Sequence, residues 1–143
     1  MKKLKTILKW SAISLMTVFL LFCIAFFISF SYTPEETAYN IDSVDWLPNT
    51  ASDISFHERG GFGWIKVYNC KMSKSDFINF AEEQGWKLDE DKNQQLFRQY
   101  VINEEDIIIN HSLTYMKVQR NNGGTRVIYD IENERLYVSQ SHR

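Results

Sequence analysis

The side chains best suited to covalent chemistry are one cysteine and two histidines. Cys70 is the single cysteine beyond residue 31, and His57 or His111 could serve it as a general base. A thiol activated in this way is a nucleophile for covalent catalysis. His57 and Cys70 fall on neighbouring strands of a predicted hairpin, so the pattern allows an enzyme centred on Cys70. Catalytic cysteines are more typical of a helix N-terminus, however, and a buried, inert Cys70 is the simpler interpretation.

Other catalytic, metal and cofactor patterns are missing from the sequence. The three histidines show no His-x-x-x-His spacing, and no Cys-x-x-Cys occurs, so we predict no metal site and no cofactor. Serine-hydrolase, Walker and dinucleotide signatures are absent as well. Acidic residues are plentiful, but no two of them stand out as the paired carboxylates of a glycosidase. We therefore predict that the protein is not an enzyme.

Two glycine-rich turns supply the residues that we predict to contact a ligand or a partner. The first turn reads ERGGFG, and a strand rather than a helix follows it, which argues against a phosphate cradle. The second turn reads NNGG and is typical of a β-hairpin. Binding residues concentrate in exposed loops that a rigid scaffold positions. The predicted contacts in the two turns are Arg59, Phe62, Asn121 and Asn122.

The turns lie between segments whose patterns predict strands and one helix. Alternating apolar residues before ERGGFG and the run 64–70 after it predict a two-stranded hairpin. Residues 113–118, 125–130 and 136–138 predict a three-stranded antiparallel meander around NNGG. Between the two groups, Ser73 is a predicted N-cap and is followed by an apolar stripe that ends at a glycine, which indicates a helix packed on a sheet.

These elements predict an α+β fold, in which an N-terminal transmembrane helix precedes a small antiparallel sheet. The sheet would comprise the two-stranded hairpin and the three-stranded meander, covered by one or two helices. Residues 89–93 are predicted to form a solvated loop. Residues 94–101 fit a helix face, although their short length also allows a strand, and residues 103–106 are predicted to form an acidic turn before the apolar run 107–109. A domain of this size can bury enough apolar area to fold without a disulfide.

The N-terminal residues predict a membrane anchor. Residues 1–9 contain four lysines and no acid, and residues 10–30 contain no charge. As a helix, such a run spans roughly 30 Å, the hydrocarbon thickness of a bilayer. The lysines predict an N-terminus in the cytoplasm and a C-terminal domain on the outside, in the periplasm. Cleavage as a signal peptide at Ser29-Phe30-Ser31 remains an alternative.

The predicted organisation has four parts. They are a basic cytoplasmic N-terminus (1–9), a transmembrane signal-anchor helix (10–30), an extracytoplasmic tether (31–50) and an extracytoplasmic α+β domain (51–143). Beyond residue 31 the chain carries 18 acidic and 12 basic residues, a net charge of −6 that argues against binding to nucleic acid.

The function predicted from these observations is a single-pass inner-membrane protein of the bacterial envelope with a non-catalytic periplasmic binding or interaction domain. Its partners would be the lipid bilayer, through residues 10–30, and another envelope protein. Two alternative functions remain, an extracytoplasmic enzyme that uses Cys70 with a histidine and a toxin-immunity protein.

Overall fold

The computed structural model describes residues 2–31, 35–61, 63–99, 102 and 106–142. The chain divides into two compact units, Met1–Thr33 and Pro34–Arg143.

The first unit contains one helix, α1 (Lys2–Ser31). Within the described part of the chain, no helix combines the length and the apolar composition that a bilayer crossing demands. Hydroxyl residues interrupt the uncharged run, and one of them, Thr17, donates a hydrogen bond of 2.9 Å to the Ile13 carbonyl oxygen. The lack of such a helix among the described residues contradicts the predicted transmembrane anchor. It also contradicts the predicted location in the inner membrane with a periplasmic C-terminal domain.

The second unit is mostly β-structure. Its long strands are β1 (Glu35–Ile41), β2 (Ser52–Arg59), β3 (Trp64–Lys71), β7 (Ser112–Gln119), β8 (Gly123–Asp130) and β9 (Arg135–His142). Its short strands are β4 (Asp89–Asp91), β5 (Gln95–Phe97) and β6 (Ile107–Ile109), and its helix is α2 (Lys74–Glu83). Seven strands form one antiparallel sheet in the order β1-β2-β3-β9-β8-β7-β4, and β5 pairs with β6 in a separate hairpin.

The predicted α+β fold class is contradicted, because the described part of this unit is mostly β-structure, with a seven-stranded sheet, a separate two-stranded hairpin and one helix. β3 pairs with β9 along its whole length, with Tyr68 opposite Val138 and Cys70 opposite Leu136. Two further strands extend the sheet at its edges. β1 arises from the segment predicted to be a tether, and β4 arises from the predicted loop 89–93. Among the described residues of this unit, one helix, α2, packs on the sheet, within the predicted one or two.

We call the side of the sheet that α2 covers the helix face. Ser73 caps α2 as predicted, because its hydroxyl accepts a hydrogen bond of 3.2 Å from the Asp76 amide. Phe77 is fully buried, and its ring stacks on Tyr129 with 4.4 Å between ring centroids. The main apolar core lies here, between α2 and strands β2, β3, β8 and β9.

We call the opposite side of the sheet the hairpin face, because β5 and β6 pack against it. Phe97 and Ile109 from the hairpin form a second buried cluster with Ile128 and Tyr137 of the sheet. The strand alternative for residues 94–101 is therefore confirmed at Gln95–Phe97, and the apolar run Ile107–Ile109 forms the paired strand. The hairpin covers only the part of the face around Ile128 and Tyr137.

Candidate functional site

Cys70 and His57 do not form a catalytic pair. Cys70 is fully buried on the helix face, where burial raises the pKa of its thiol to about 12. His57 lies opposite Val67 on the hairpin face, because it follows Phe56, whose side chain is in the helix-face core. The sheet therefore separates the thiol from the imidazole.

Both histidines that could have acted as the base have other hydrogen-bond partners. His57 Nδ1 lies 2.8 Å from the Thr37 hydroxyl on β1. His111 Nε2 lies 2.6 Å from a carboxylate oxygen of Glu90 on β4. These contacts hold β1 and β4 to the rest of the unit, so a structural role accounts for both side chains.

No described residue of this unit covers the hairpin face at the end of the sheet near the two glycine turns. There β3 contributes Ile65 and Val67, and β7 contributes Met116 and Val118. Ile65 is 47 % exposed, Met116 62 % and Val118 77 %, although all three are apolar. The two strands form the walls of an open groove with a volume of about 470 Å³, which we call the apolar groove.

Small residues on the two central strands form the floor of the apolar groove. Gly124 of β8 lies opposite Val118 on one side and opposite Ser141 of β9 on the other. A methyl group on Gly124 would collide with the backbone of Lys117, so this position has no room for a side chain. Ser139 and Ser141 complete the floor. The groove exists because small residues lie between two apolar walls.

The charges beside the apolar groove are positive. Arg126 lines the groove, with its guanidinium carbon 5.0 Å from the ring centroid of Phe97. Lys117 is also among the groove residues, although strand alternation directs its side chain to the helix face, and no acidic residue is among the described residues that line the groove. Within the described part of the chain, neither Lys117 nor Arg126 forms an ion pair. The surroundings of the groove are thus basic in a unit that is acidic overall.

The structure places the predicted contact residues around this groove in different ways. Arg59 is exposed at the end of β2, opposite Ile65 of the groove wall. Asn121 adopts a left-handed conformation with a φ of 65°, and the Asn122 amide donates to the Gln119 carbonyl oxygen at 3.0 Å, so both shape the turn beyond the groove. Phe62 lies outside the described residues.

The strand edge beside the groove is open. β4 pairs only with the first three residues of β7, Ser112, Leu113 and Thr114. Residues 116–119 therefore have no strand on their outer side within the described residues. Their register with β8 is unbroken, so this edge is regular. The apolar side chains of the groove wall and the unpaired backbone groups of residues 116–119 thus lie next to each other on β7.

These features define a class of site, an open apolar groove next to a free strand edge. In the described residues, no group of three or more side chains could hold a metal ion. Comparison of the chain with protein-family models, with curated proteins and with solved structures finds no significant match in any of the three.

Proposed function

We propose that the unit Pro34–Arg143 is a non-catalytic binding domain whose ligand occupies the apolar groove. The observation that carries the proposal is the uncovered half of the hairpin face, where Ile65, Met116 and Val118 are exposed together. Scattered exposed apolar side chains are ordinary, but contiguous ones beside a concave floor are typical of an interaction site. Covering them would contribute on the order of 1 kcal/mol or more for each side chain.

The residues around the groove favour binding over catalysis. Its side-chain hydroxyl groups belong to Ser139 and Ser141, and no histidine or carboxylate is among the described residues that line it. A serine or threonine hydroxyl needs an adjacent base to become a nucleophile. Groove hydroxyls without such a base can hydrogen-bond a ligand but are not activated to attack it.

The proposal is tested by selecting linear peptides against the purified protein and mapping the bound peptides by NMR. We expect amide and methyl shifts to cluster at Ile65, Met116, Val118 and Gly124. Val118→Asp should weaken binding at least about tenfold, because it places a carboxylate in the apolar wall.

Leu96→Asp is the matched control, since Leu96 is 66 % exposed on β5 and does not line the groove. It should bind the selected peptides as the unaltered protein does. Equal effects of the two substitutions, or shifts that cluster elsewhere, would place the binding surface outside the groove and refute the proposal.

A further inference from the structure

We propose that the occupant is an extended acidic polypeptide segment, which pairs with residues 116–119 as an added strand of the sheet. This inference rests on the proposed function and gives the chemistry of the ligand at the same site. Strand addition at a free sheet edge is a recurrent mode of peptide recognition, in which backbone hydrogen bonds give affinity and alternate side chains give specificity.

The two edges of the sheet differ in their readiness to accept a strand. β1, at one edge, carries two glutamates and a break in register between Ala38 and Ile41, and Asn40 there has a φ of 51°. Bulges and charges of this kind protect an edge from pairing. β7, at the other edge, is regular and is covered by β4 only as far as Thr114. The β7 edge is therefore the accessible one.

The side chains along the β7 edge alternate between two chemistries. Met116 and Val118 lie on the hairpin face in the wall of the groove, and Lys117 between them points to the helix face. A strand added beside β7 would place every second side chain next to the apolar pair and the intervening ones next to Lys117. The segment that fits best alternates apolar residues with acidic ones.

The same geometry disfavours a second copy of this chain as the occupant. Antiparallel pairing of two β7 edges centred on residues 116–118 would place Lys117 opposite its own counterpart, with Arg120 close to the junction. Like charges directly opposite each other across a strand pair are destabilising. Arg126, at the groove, adds a third positive charge. The carboxylates of an acidic partner are complementary to these positive charges, whereas a second copy of the same edge would repel them.

The probe for this inference is a short capped peptide in which valine and glutamate alternate. One control peptide carries lysine in place of glutamate. A second keeps the sequence but is N-methylated at alternate backbone nitrogens, which removes the donors needed for strand pairing. Affinity and amide hydrogen exchange are measured on the full chain. We expect the acidic peptide to bind and to slow exchange at residues 116–119, and both control peptides to bind at least about tenfold more weakly.

A charge reversal in the protein gives an independent readout. Lys117→Glu should lower the affinity for the acidic peptide about threefold to tenfold and raise the affinity for the lysine peptide. A higher salt concentration should reduce both changes in affinity. Lys74→Glu is the control, because Lys74 is exposed in the first turn of α2 and does not line the groove. It should leave both affinities unchanged.

The possible results separate this inference from the function on which it rests. Equal binding of the N-methylated peptide would refute strand addition while leaving groove binding intact. Binding of dodecanoate in the groove, with no binding of the acidic peptide, would show that the occupant is an anionic lipid chain and would refute the peptide. If neither ligand shifts the NMR signals of the residues that line the groove, the proposed function is refuted as well.

Discussion

The thiol of Cys70 lies in the apolar core between the sheet and α2, where water cannot solvate a thiolate. Desolvation is the main cause of its raised pKa, and the positive charge of Arg135 offsets only part of that effect. The sequence allowed two interpretations of Cys70, a nucleophile and a buried, inert thiol, and the structure confirms the burial. The identity of the residue alone could not decide between them, because the outcome depends on the sheet face on which Cys70 lies.

We expect Cys70 to resist alkylation in the folded protein. With Cys23 replaced by serine, Cys70 is the only thiol left, and iodoacetamide labelling followed by mass spectrometry reports on it alone. Labelling at neutral pH should be slow in buffer and rapid in denaturant, because the thiolate is the reactive species. Rapid labelling of the folded protein would contradict the burial of Cys70 and would support the hypothesis of an enzyme that uses Cys70 as its nucleophile.

The same burial gives a direction for the pH dependence of stability. The folded-state pKa of Cys70, about 12, lies above the ordinary thiol value of 9.0, so the unfolded chain ionises first as pH rises. The contribution of the neutral thiol is therefore complete below about pH 9 and is lost between that pH and 12. Cys70→Ala should remove this component of the alkaline loss of stability.

At the scale of elements, α2 is the part of the fold that its sequence specifies best. Ser73 supplies the cap, Phe77 and Phe80 supply the buried stripe, and Gly85, with a φ of 69°, follows the last turn. All of these signals are local, so they can be read without knowing what the helix packs against. The hairpin β2–β3 and the strands β7, β8 and β9 were recognisable for the same reason.

We expect Ser73→Ala to lower the free energy of unfolding by about 1 kcal/mol, because it removes the acceptor for the Asp76 amide. Urea denaturation with and without the substitution measures the change. Ser52→Ala is the control, since Ser52 is exposed at the start of β2 and caps no helix. A loss of stability that is no larger than that of the control would show that the cap contributes little.

The elements that sequence patterns missed are those whose existence depends on distant partners. β1 reads as a polar, acidic segment, and it is a strand only because β2 provides the pairing edge. β4 has three acidic residues and pairs with a strand more than twenty positions away. Strand propensity is weak compared with such context. No local sequence pattern predicts that β3 pairs with β9, the pairing that joins the two halves of the sheet.

The groove was unpredictable for a related reason. Met116 and Val118 alternate with polar neighbours, which predicts a strand with one apolar face. The sequence does not say whether a second layer covers that face or how far the layer extends. The β5–β6 hairpin covers the part near Ile128 and leaves the part near Gly124 open. Arg59 lies opposite Ile65 of the groove wall because the glycine turns and the groove share one end of the sheet, and its role as a contact stays a prediction.

At the scale of the whole unit, one buried side chain fastens the β5–β6 hairpin to the centre of the sheet. Gln99 follows β5 and is 2 % exposed. Its amide nitrogen donates to the carbonyl oxygens of Tyr68 at 3.0 Å and Val138 at 3.2 Å, and its carbonyl oxygen accepts from Asn69 at 3.0 Å. These bonds span the junction between β3 and β9, where the two halves of the sheet meet.

Gln99→Ala should therefore act on more than its own position. The substitution leaves the Asn69 side-chain amide and two backbone carbonyl oxygens without their buried partner, at a cost of about 1–3 kcal/mol in the free energy of unfolding. Because the same side chain holds the hairpin in place, amide exchange in β6 (Ile107–Ile109) should accelerate more than exchange in β8.

Gln94→Ala removes an exposed hydrogen bond of 3.2 Å to Asn110 and is the matched control, with an expected cost below about 0.5 kcal/mol. A uniform increase in exchange across β6 and β8 would show that the hairpin opens only with the whole unit, and the hairpin would then be an integral layer of the fold instead of a cover attached through Gln99.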